Sequence, residues 1–115
     1  MVADVLEASG RFGALKRQAF EGDVIAITGS AGKTTTKNLV AAALATTGEV
    51  HATVGNQNNE LGVPITLSGL TSNYRFGVIE MGAGHPGDIA YLCQLARPNV
   101  AVFNVTASQA LFKSL

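Results

Sequence analysis

The sequence predicts an α/β domain with a phosphate-binding loop, in which helices flank a mostly parallel sheet. Short apolar runs rich in β-branched residues alternate with stretches whose apolar residues recur at helical spacing. A glycine-rich turn joins the first of these runs to a helical stretch, as in nucleotide-binding α/β folds. The 115 residues suffice for one hydrophobic core, so residues 1–115 are expected to belong to a single domain.

The first half of the chain predicts a helical region, a strand and a long helix. Residues 2–20 have apolar positions at helical spacing, and the glycines at 10 and 13 leave open one or two helical segments. Val24 to Thr28 is a β-branched run, typical of a strand buried on both faces. Residues 33–47 predict a helix whose apolar face carries Leu39, Val40, Ala43 and Leu44, and Gly48 follows as a C-terminal cap.

The second half repeats the alternation of strand and helix. Val50 to Val54 is a further strand, and Pro64 opens a short helix that runs through Leu67. The apolar run at 76–79 predicts a strand that ends at an acidic residue. Residues 85–96 then predict a helix, which the following Arg-Pro pair ends. Residues 100–103 form the last strand, and its apolar edge predicts self-association if it stays unpaired.

Composition excludes several classes of function. Eight basic and eight acidic residues give a formal net charge of zero, so nothing favours nucleic acid or an anionic membrane as a partner. The single cysteine, Cys93, cannot form an internal disulfide and is interpreted as a packing residue. The N-terminus lacks the apolar core of a signal peptide, and no apolar stretch approaches 18 residues. These features predict a cytoplasmic protein without membrane insertion.

The strongest chemical signal is the turn between the first strand and the long helix. Its glycines let the backbone approach a phosphate, and the helix N-terminus adds roughly half a positive charge. Lys33 supplies a mobile cation for the β- and γ-phosphates of ATP, and the Thr34 hydroxyl is placed to bind Mg²⁺. Ile27 stands where the eight-residue loop pattern needs glycine, so the loop has the shorter form. The predicted nucleotide-binding residues are Gly29, Ser30, Ala31, Gly32, Lys33, Thr34 and Thr35.

Glu80 is the second signal, because it ends a buried strand. The carboxyl ends of parallel strands share one edge of a sheet, so Glu80 is expected beside the phosphate loop. There it could hold Mg²⁺ directly or through water. Taken alone, such a residue more often only ends a strand; the loop 47 residues earlier favours the metal interpretation.

A polar loop at residues 55–64 is the third signal. Its amide and carboxylate side chains are rich in hydrogen-bonding groups, although a solvated turn explains the loop about equally well. His85 is interpreted as a capping or packing residue, and His51 as a packing residue. Lys37, one helical turn after Lys33, is expected to be exposed to solvent.

Three stretches together resemble the Mur ligases. Residues 27–37 resemble the ATP-binding loop of that family, and residues 58–64 resemble the loop that follows it. Residues 78–89 are most similar to the MurF type, which adds D-alanyl-D-alanine to a UDP-N-acetylmuramoyl tripeptide. The resemblance covers about residues 3–106, and order and spacing agree across all three stretches.

The resemblance implies an ATP-dependent ligase of peptidoglycan precursor synthesis, with ATP and Mg²⁺ as cofactors. Such enzymes phosphorylate a carboxylate of the acceptor, and an amine then displaces the phosphate. It implies that Lys33 and Glu80 are catalytic, that Thr34 and Glu80 hold Mg²⁺, and that Asn58 and Asn59 line the acceptor side.

The resemblance extends to part of the central ATP-binding domain only. The N-terminal UDP-sugar domain and the C-terminal domain of the family are not among these 115 residues, and they are the implied partners. Residues 106–115 also depart from the family pattern, and Gly84 replaces an amide residue common in the MurF type. The chain is therefore expected to be a fragment with little ligase activity by itself.

Several alternatives remain open from the sequence. A MurE-type, folylpolyglutamate-type or cyanophycin-type ligase shares much of the pattern. A P-loop kinase or GTPase is opposed by Ile27 and by the lack of an Asn-Lys-x-Asp motif. A folded, catalytically inactive nucleotide-binding fragment is the non-enzymatic alternative.

Overall fold

The computed structural model describes residues 2–29, 32–55, 57–82 and 87–104, and it confirms the predicted α/β architecture. Helices and strands alternate along these ranges. In chain order they are α1 (Val2–Ala19), β1 (Asp23–Gly29), α2 (Lys33–Leu44), β2 (Val50–Ala52), α3 (Gly62–Ser68), β3 (Phe76–Glu80), α4 (Asp88–Ala96) and β4 (Val100–Asn104). The predicted alternation of strand and helix is therefore correct, with boundaries that differ by a few residues.

The strands form one parallel sheet in the order β2-β3-β1-β4. β1 is central and pairs with β3 on one side and β4 on the other. All the strands run the same way, so their carboxyl ends meet at one edge of the sheet. In the β1–β3 register Ile27 lies opposite Glu80, which places the end of β3 beside the turn that follows β1.

Two hydrophobic cores cover the two faces of the sheet. Alternate residues of a strand point to opposite faces, and β1 divides its side chains in this way. Val24 and Ala26 join a core with α3 and α4, while Ile25 and Ile27 join a core with α2. Helix α2, which follows the phosphate loop, therefore covers one face of the sheet, and α1, α3 and α4 cover the other.

The first helix is continuous, so the glycines at 10 and 13 do not divide it. A Cβ atom at Gly13 would lie 2.9 Å from Cα of Pro64 in α3. A Cβ atom at Gly10 would lie 2.6 Å from the hydroxyl oxygen of Tyr91 in α4. Close packing against the α3 backbone therefore explains Gly13, and Gly10 faces the end of a side chain; neither glycine marks a turn, which periodicity alone does not distinguish.

These contacts predict opposite responses to the same substitution. Glycine in a helix costs about 1 kcal/mol relative to alanine. At Gly13 the new methyl group meets the α3 backbone, so we expect Gly13→Ala to lower the free energy of unfolding by about 1–3 kcal/mol. At Gly10 it meets the movable end of a partly exposed side chain, so Gly10→Ala should be neutral or stabilising. Urea unfolding of both variants checks this, and equal losses would contradict it.

The outer strand β4 carries exposed apolar side chains, since Val100 and Phe103 are each more than half exposed. The self-association expected from this apolar edge stays a prediction. Over the described ranges, no helix combines the length and apolarity that crossing a bilayer requires.

Candidate functional site

The candidate site lies where β1 ends and α2 begins. β1 ends at Gly29, whose φ of 137° favours glycine, and Gly32 precedes α2 with a φ of 72°. The N–H of Thr36 donates to the Gly32 carbonyl at 2.9 Å, which forms the first turn of the helix. By helix geometry the N–H groups of that first turn point along the axis toward the N-terminal end of α2, and with the helix dipole they suit an anion. Ser30 and Ala31 lie outside the described residues.

Lys33 is held over this turn. Its side chain is half-buried, and Nζ donates to the Gly29 carbonyl oxygen at 3.1 Å. The ammonium therefore lies beside the backbone that the sequence predicts to enclose phosphate. Thr35, the next predicted residue, is exposed in the first turn of α2.

The structure brings Thr34 and Glu80 into direct contact. The Thr34 hydroxyl donates to Glu80 Oε1 at 2.9 Å, although 46 residues separate the two in sequence. Glu80 is only 2% exposed, and its Oε2 has no hydrogen-bond partner among the described residues. A buried carboxylate oxygen without a partner is costly, because its charge has lost water and gained nothing in return.

The backbone at Glu80 is fixed from two sides. Its N–H donates to the Thr53 hydroxyl at 2.8 Å, and Thr53 is 2% exposed. The next N–H, that of Met81, donates to the Ile27 carbonyl at 2.8 Å. The carboxylate thus projects from a strand end whose position is set by both β1 and the end of β2.

The two asparagines of the polar loop have different surroundings. The Asn58 carbonyl accepts the Gly82 N–H at 2.6 Å, and its side chain lies where a Gly82 Cβ would come within 3.0 Å. Asn58 therefore lies next to the strand end that carries Glu80. Asn59 Oδ1 instead accepts the N–H groups of Leu61 and Gly62, at 3.2 and 2.8 Å, and so starts α3. Acceptor binding by either residue stays a prediction.

Lys37 is buried, although the sequence predicts that it is exposed to solvent. Its side chain is only 6% exposed, and its Nζ donates to the Thr53 carbonyl at 2.7 Å. The expectation was wrong because the helix face that carries Lys37 turns toward the end of β2. Its spacing from Thr34 could have indicated this burial, because residues three apart lie on the same face of a helix.

His51 and Cys93 lie in packed surroundings, and His85 is not among the described residues. His51 Nε2 lies 2.8 Å from the Thr66 carbonyl oxygen, and its ring packs against Tyr74 at 5.0 Å between centroids. Cys93 is half-buried with Sγ 4.0 Å from Met81 Sδ. Both are therefore packing residues, as expected. His85, Gly84 and residues 106–115 lie outside the described part of the chain.

Comparison with known proteins gives one consistent family. Residues 27–109 match the Mur ligase middle domain. The UDP-N-acetylmuramoyl-tripeptide–D-alanyl-D-alanine ligase of Escherichia coli is 44% identical over 111 residues, which are 96% of this chain and 25% of that enzyme. The same ligase of Bacillus subtilis is 41% identical over 102 residues, 89% of this chain and 22% of that enzyme.

Solved structures give the same result. MurF from Acinetobacter baumannii superposes with a TM-score of 0.83 at 40% identity, and covers 85% of this chain and 22% of its own. The MurF ligase of Thermotoga maritima in complex with ADP gives a TM-score of 0.80 at 38% identity, and covers 92% and 25%. The chain spans about a quarter of the length of the curated relatives it matches.

The kinase and GTPase alternatives are set aside by these matches, which agree with the order of the three stretches seen in the sequence. The family match covers most of the chain and includes Lys33, Thr34 and Glu80. The fold agrees with that of the neighbouring structures. This chain belongs to the Mur ligase family, and its residues 27–109 match the middle domain of that family.

Proposed function

We propose that the chain supplies the ATP-binding site of a ligase that joins D-alanyl-D-alanine to UDP-N-acetylmuramoyl-tripeptide. The observation that carries the proposal is the contact between Thr34 and Glu80 at the mouth of the phosphate loop. The names of the relatives supply the substrates, since ligases with that activity are 44% identical over nearly the whole chain. Another ligase of the superfamily is the less favoured reading for the same reason.

The site suits Mg²⁺, which prefers hard oxygen ligands and usually retains waters and substrate phosphates in its shell. Glu80 offers a buried oxygen that lacks a partner in the described part of the chain, and the Thr34 hydroxyl lies against the same carboxylate. Among the described residues no three His, Cys, Asp or Glu side chains cluster as in an all-protein metal cage. Thr34 and Glu80 would therefore hold the ion with the phosphates of ATP, and the bound ion would neutralise phosphate charge.

In the proposed reaction the terminal carboxylate of the tripeptide attacks the γ-phosphorus of ATP. The bond from that phosphorus to the bridging oxygen breaks, and ADP leaves with its electron pair. The amine of D-alanyl-D-alanine then attacks the acyl carbon, loses a proton and expels inorganic phosphate, which leaves an amide. Such transfer depends mainly on positioning and charge stabilisation, because little covalent help is needed.

Each residue of the site has one part in that scheme. The N–H groups of the first α2 turn, which Gly29 and Gly32 precede, orient the phosphates. Lys33 stabilises the charge that develops between the β- and γ-phosphates. Asn58, beside Gly82, lines the acceptor side of the site.

The proposal also concerns what lies outside these residues. The chain spans about a quarter of its relatives, so the UDP-sugar and the incoming amine would be bound by further domains of the parent enzyme. ATP and nucleotide-linked sugar precursors are cytoplasmic metabolites, which places the reaction in the cytoplasm.

Two measurements test the proposal. Calorimetric titration of the folded chain with ATP should show binding that requires Mg²⁺. A protein that carries this chain together with the two further domains should convert ATP to ADP when offered the tripeptide acceptor and D-alanyl-D-alanine. Turnover with single amino acids instead would favour the other ligases of the superfamily. A chain that melts cooperatively but binds no ATP with Mg²⁺ would contradict the proposal.

A catalytically inactive nucleotide-binding domain is the second candidate function. The contacts of Lys33 with Gly29 and of Thr34 with Glu80 would serve nucleotide binding without catalysis as well. ATP binding with no amide formation, even when the further domains are present, is the result that distinguishes it from an active ligase.

A further inference from the structure

Lys37 is a buried cation to which the proposed reaction assigns no role. Its side chain is 6% exposed, and among the described residues its ammonium donates to the Thr53 carbonyl oxygen at 2.7 Å. Lysine is almost never fully buried, because removing its charge from water is expensive. A carbonyl oxygen solvates the ammonium without neutralising it, so packing alone is a poor explanation for a lysine at this place.

Thr53 connects this lysine to the strand end that carries the proposed metal ligand. Thr53 is 2% exposed, and its own N–H donates to the Val78 carbonyl at 3.0 Å. Its hydroxyl accepts the Glu80 N–H at 2.8 Å. Thr53 is thus bound to β3 through both its backbone and its side chain, while its carbonyl faces the ammonium of Lys37.

These contacts close a ring of hydrogen bonds between α2 and β3. Thr34 and Lys37 lie three residues apart on α2, and so share a face of that helix. Thr34 contacts the Glu80 carboxylate directly, whereas Lys37 reaches the Glu80 backbone through Thr53. Two contacts therefore set the position of Glu80 relative to α2. One is at its carboxylate oxygen, and the other is at its backbone N–H.

We propose that Lys37 and Thr53 are positioning residues that hold Glu80 at the distance from α2 that Mg²⁺ requires. The inference rests on the proposed function, since it assumes that Glu80 serves Mg²⁺. An ammonium-to-carbonyl hydrogen bond is about twice as strong as a neutral one, which explains why a cation occupies the position. Residues that orient metal ligands through hydrogen bonds typically alter metal affinity about 10- to 100-fold when they are removed.

The test compares the Mg²⁺ concentration that gives half-maximal ATP binding in four forms of the 115-residue chain. Lys37→Met keeps the apolar stem and removes the ammonium, and Thr53→Val keeps the branched shape and removes the hydroxyl. Each should raise the half-saturating Mg²⁺ concentration about 10-fold or more. Thr53→Ser retains a hydroxyl for the Glu80 N–H, and should stay within about threefold of the unsubstituted chain.

A purely structural role predicts a different pattern. Lower melting temperatures with an unchanged Mg²⁺ requirement would overturn the inference and leave the proposed function standing. If Lys37→Met does not fold, the threonine pair decides: a larger Mg²⁺ requirement in Thr53→Val than in Thr53→Ser supports the inference, and equal values overturn it. ATP binding by the unsubstituted chain without any need for Mg²⁺ would overturn the proposed function as well, and so separates the two failures.

Discussion

Replacement of Lys33 by methionine is expected to lower ATP turnover in the multidomain enzyme by about 10²- to 10³-fold. The ammonium lies against the Gly29 carbonyl, at the start of the turn that would enclose the phosphates. Phosphoryl transfer spreads negative charge over the phosphate oxygens, and a fixed cation stabilises that charge more in the transition state than in the bound substrate. Methionine keeps an unbranched apolar side chain, one atom shorter, and removes the charge.

The fold should tolerate this change. Lys33 is only half-buried, so the free energy of unfolding should change by less than about 1 kcal/mol. Lys16→Met, which makes the same substitution in the last turn of α1, is the matched control and should leave turnover unchanged. Steady-state release of ADP measures the effect. Turnover of Lys33→Met within about threefold of the unsubstituted enzyme would show that this lysine does not serve the phosphates.

Replacement of Glu80 by glutamine is expected to separate stability from function. The amide keeps the size of the side chain and an oxygen to accept the Thr34 hydroxyl, but it removes the negative charge that Mg²⁺ needs. ATP binding should lose most of its dependence on Mg²⁺, and turnover should fall about 10²-fold or more.

In the absence of nucleotide the same variant should be at least as stable as the unsubstituted chain. The carboxylate is 2% exposed with one oxygen unpaired among the described residues, so removing its charge relieves an electrostatic cost. We expect a gain of about 1 kcal/mol, or roughly 4 °C in melting temperature for a domain of this size. Glu49→Gln, at an exposed position, is the matched control and should change neither property. A destabilised Glu80→Gln variant with an unchanged Mg²⁺ requirement would assign Glu80 to the fold instead.

The sequence predicts where the candidate site residues lie, because the parts of the site are local or follow from sheet geometry. The turn from β1 into α2 is a continuous stretch whose glycines, lysine and threonine can be recognised together. The meeting of Thr34 and Glu80 follows from one rule, that parallel strands end at a common edge. Neither inference needs knowledge of side-chain packing.

The burial of Lys37 could not be predicted in the same way. Its environment depends on where the end of β2 lies relative to α2, which is a tertiary relation rather than a local pattern. Leu39 is the converse case, because the helical pattern places it on the apolar face of α2 but its side chain is 67% exposed. The face that α2 turns to the sheet carries Val40, Ala41 and Leu44 instead.

The glycines of α1 were ambiguous for a different reason. Gly10 and Gly13 weaken a helix wherever it is exposed, and only the approach of α3 and α4 explains their presence within one. Asn59 is similar, since its amide could serve a ligand or a helix start. The structure shows its oxygen bound to the N–H groups of Leu61 and Gly62, where α3 begins.

The central claim is that the turn before Lys33 and the carboxylate of Glu80 share one magnesium ion with the phosphates of ATP. A crystal structure of the chain with Mg²⁺ and a non-hydrolysable ATP analogue tests it most directly. The account predicts the β- and γ-phosphates against the first turn of α2, with the ion about 2.1 Å from Thr34 Oγ1 and from Glu80 Oε2 or a water bound to it. Phosphates bound elsewhere, or an ion too far from Glu80 for a single water to bridge them, would contradict it.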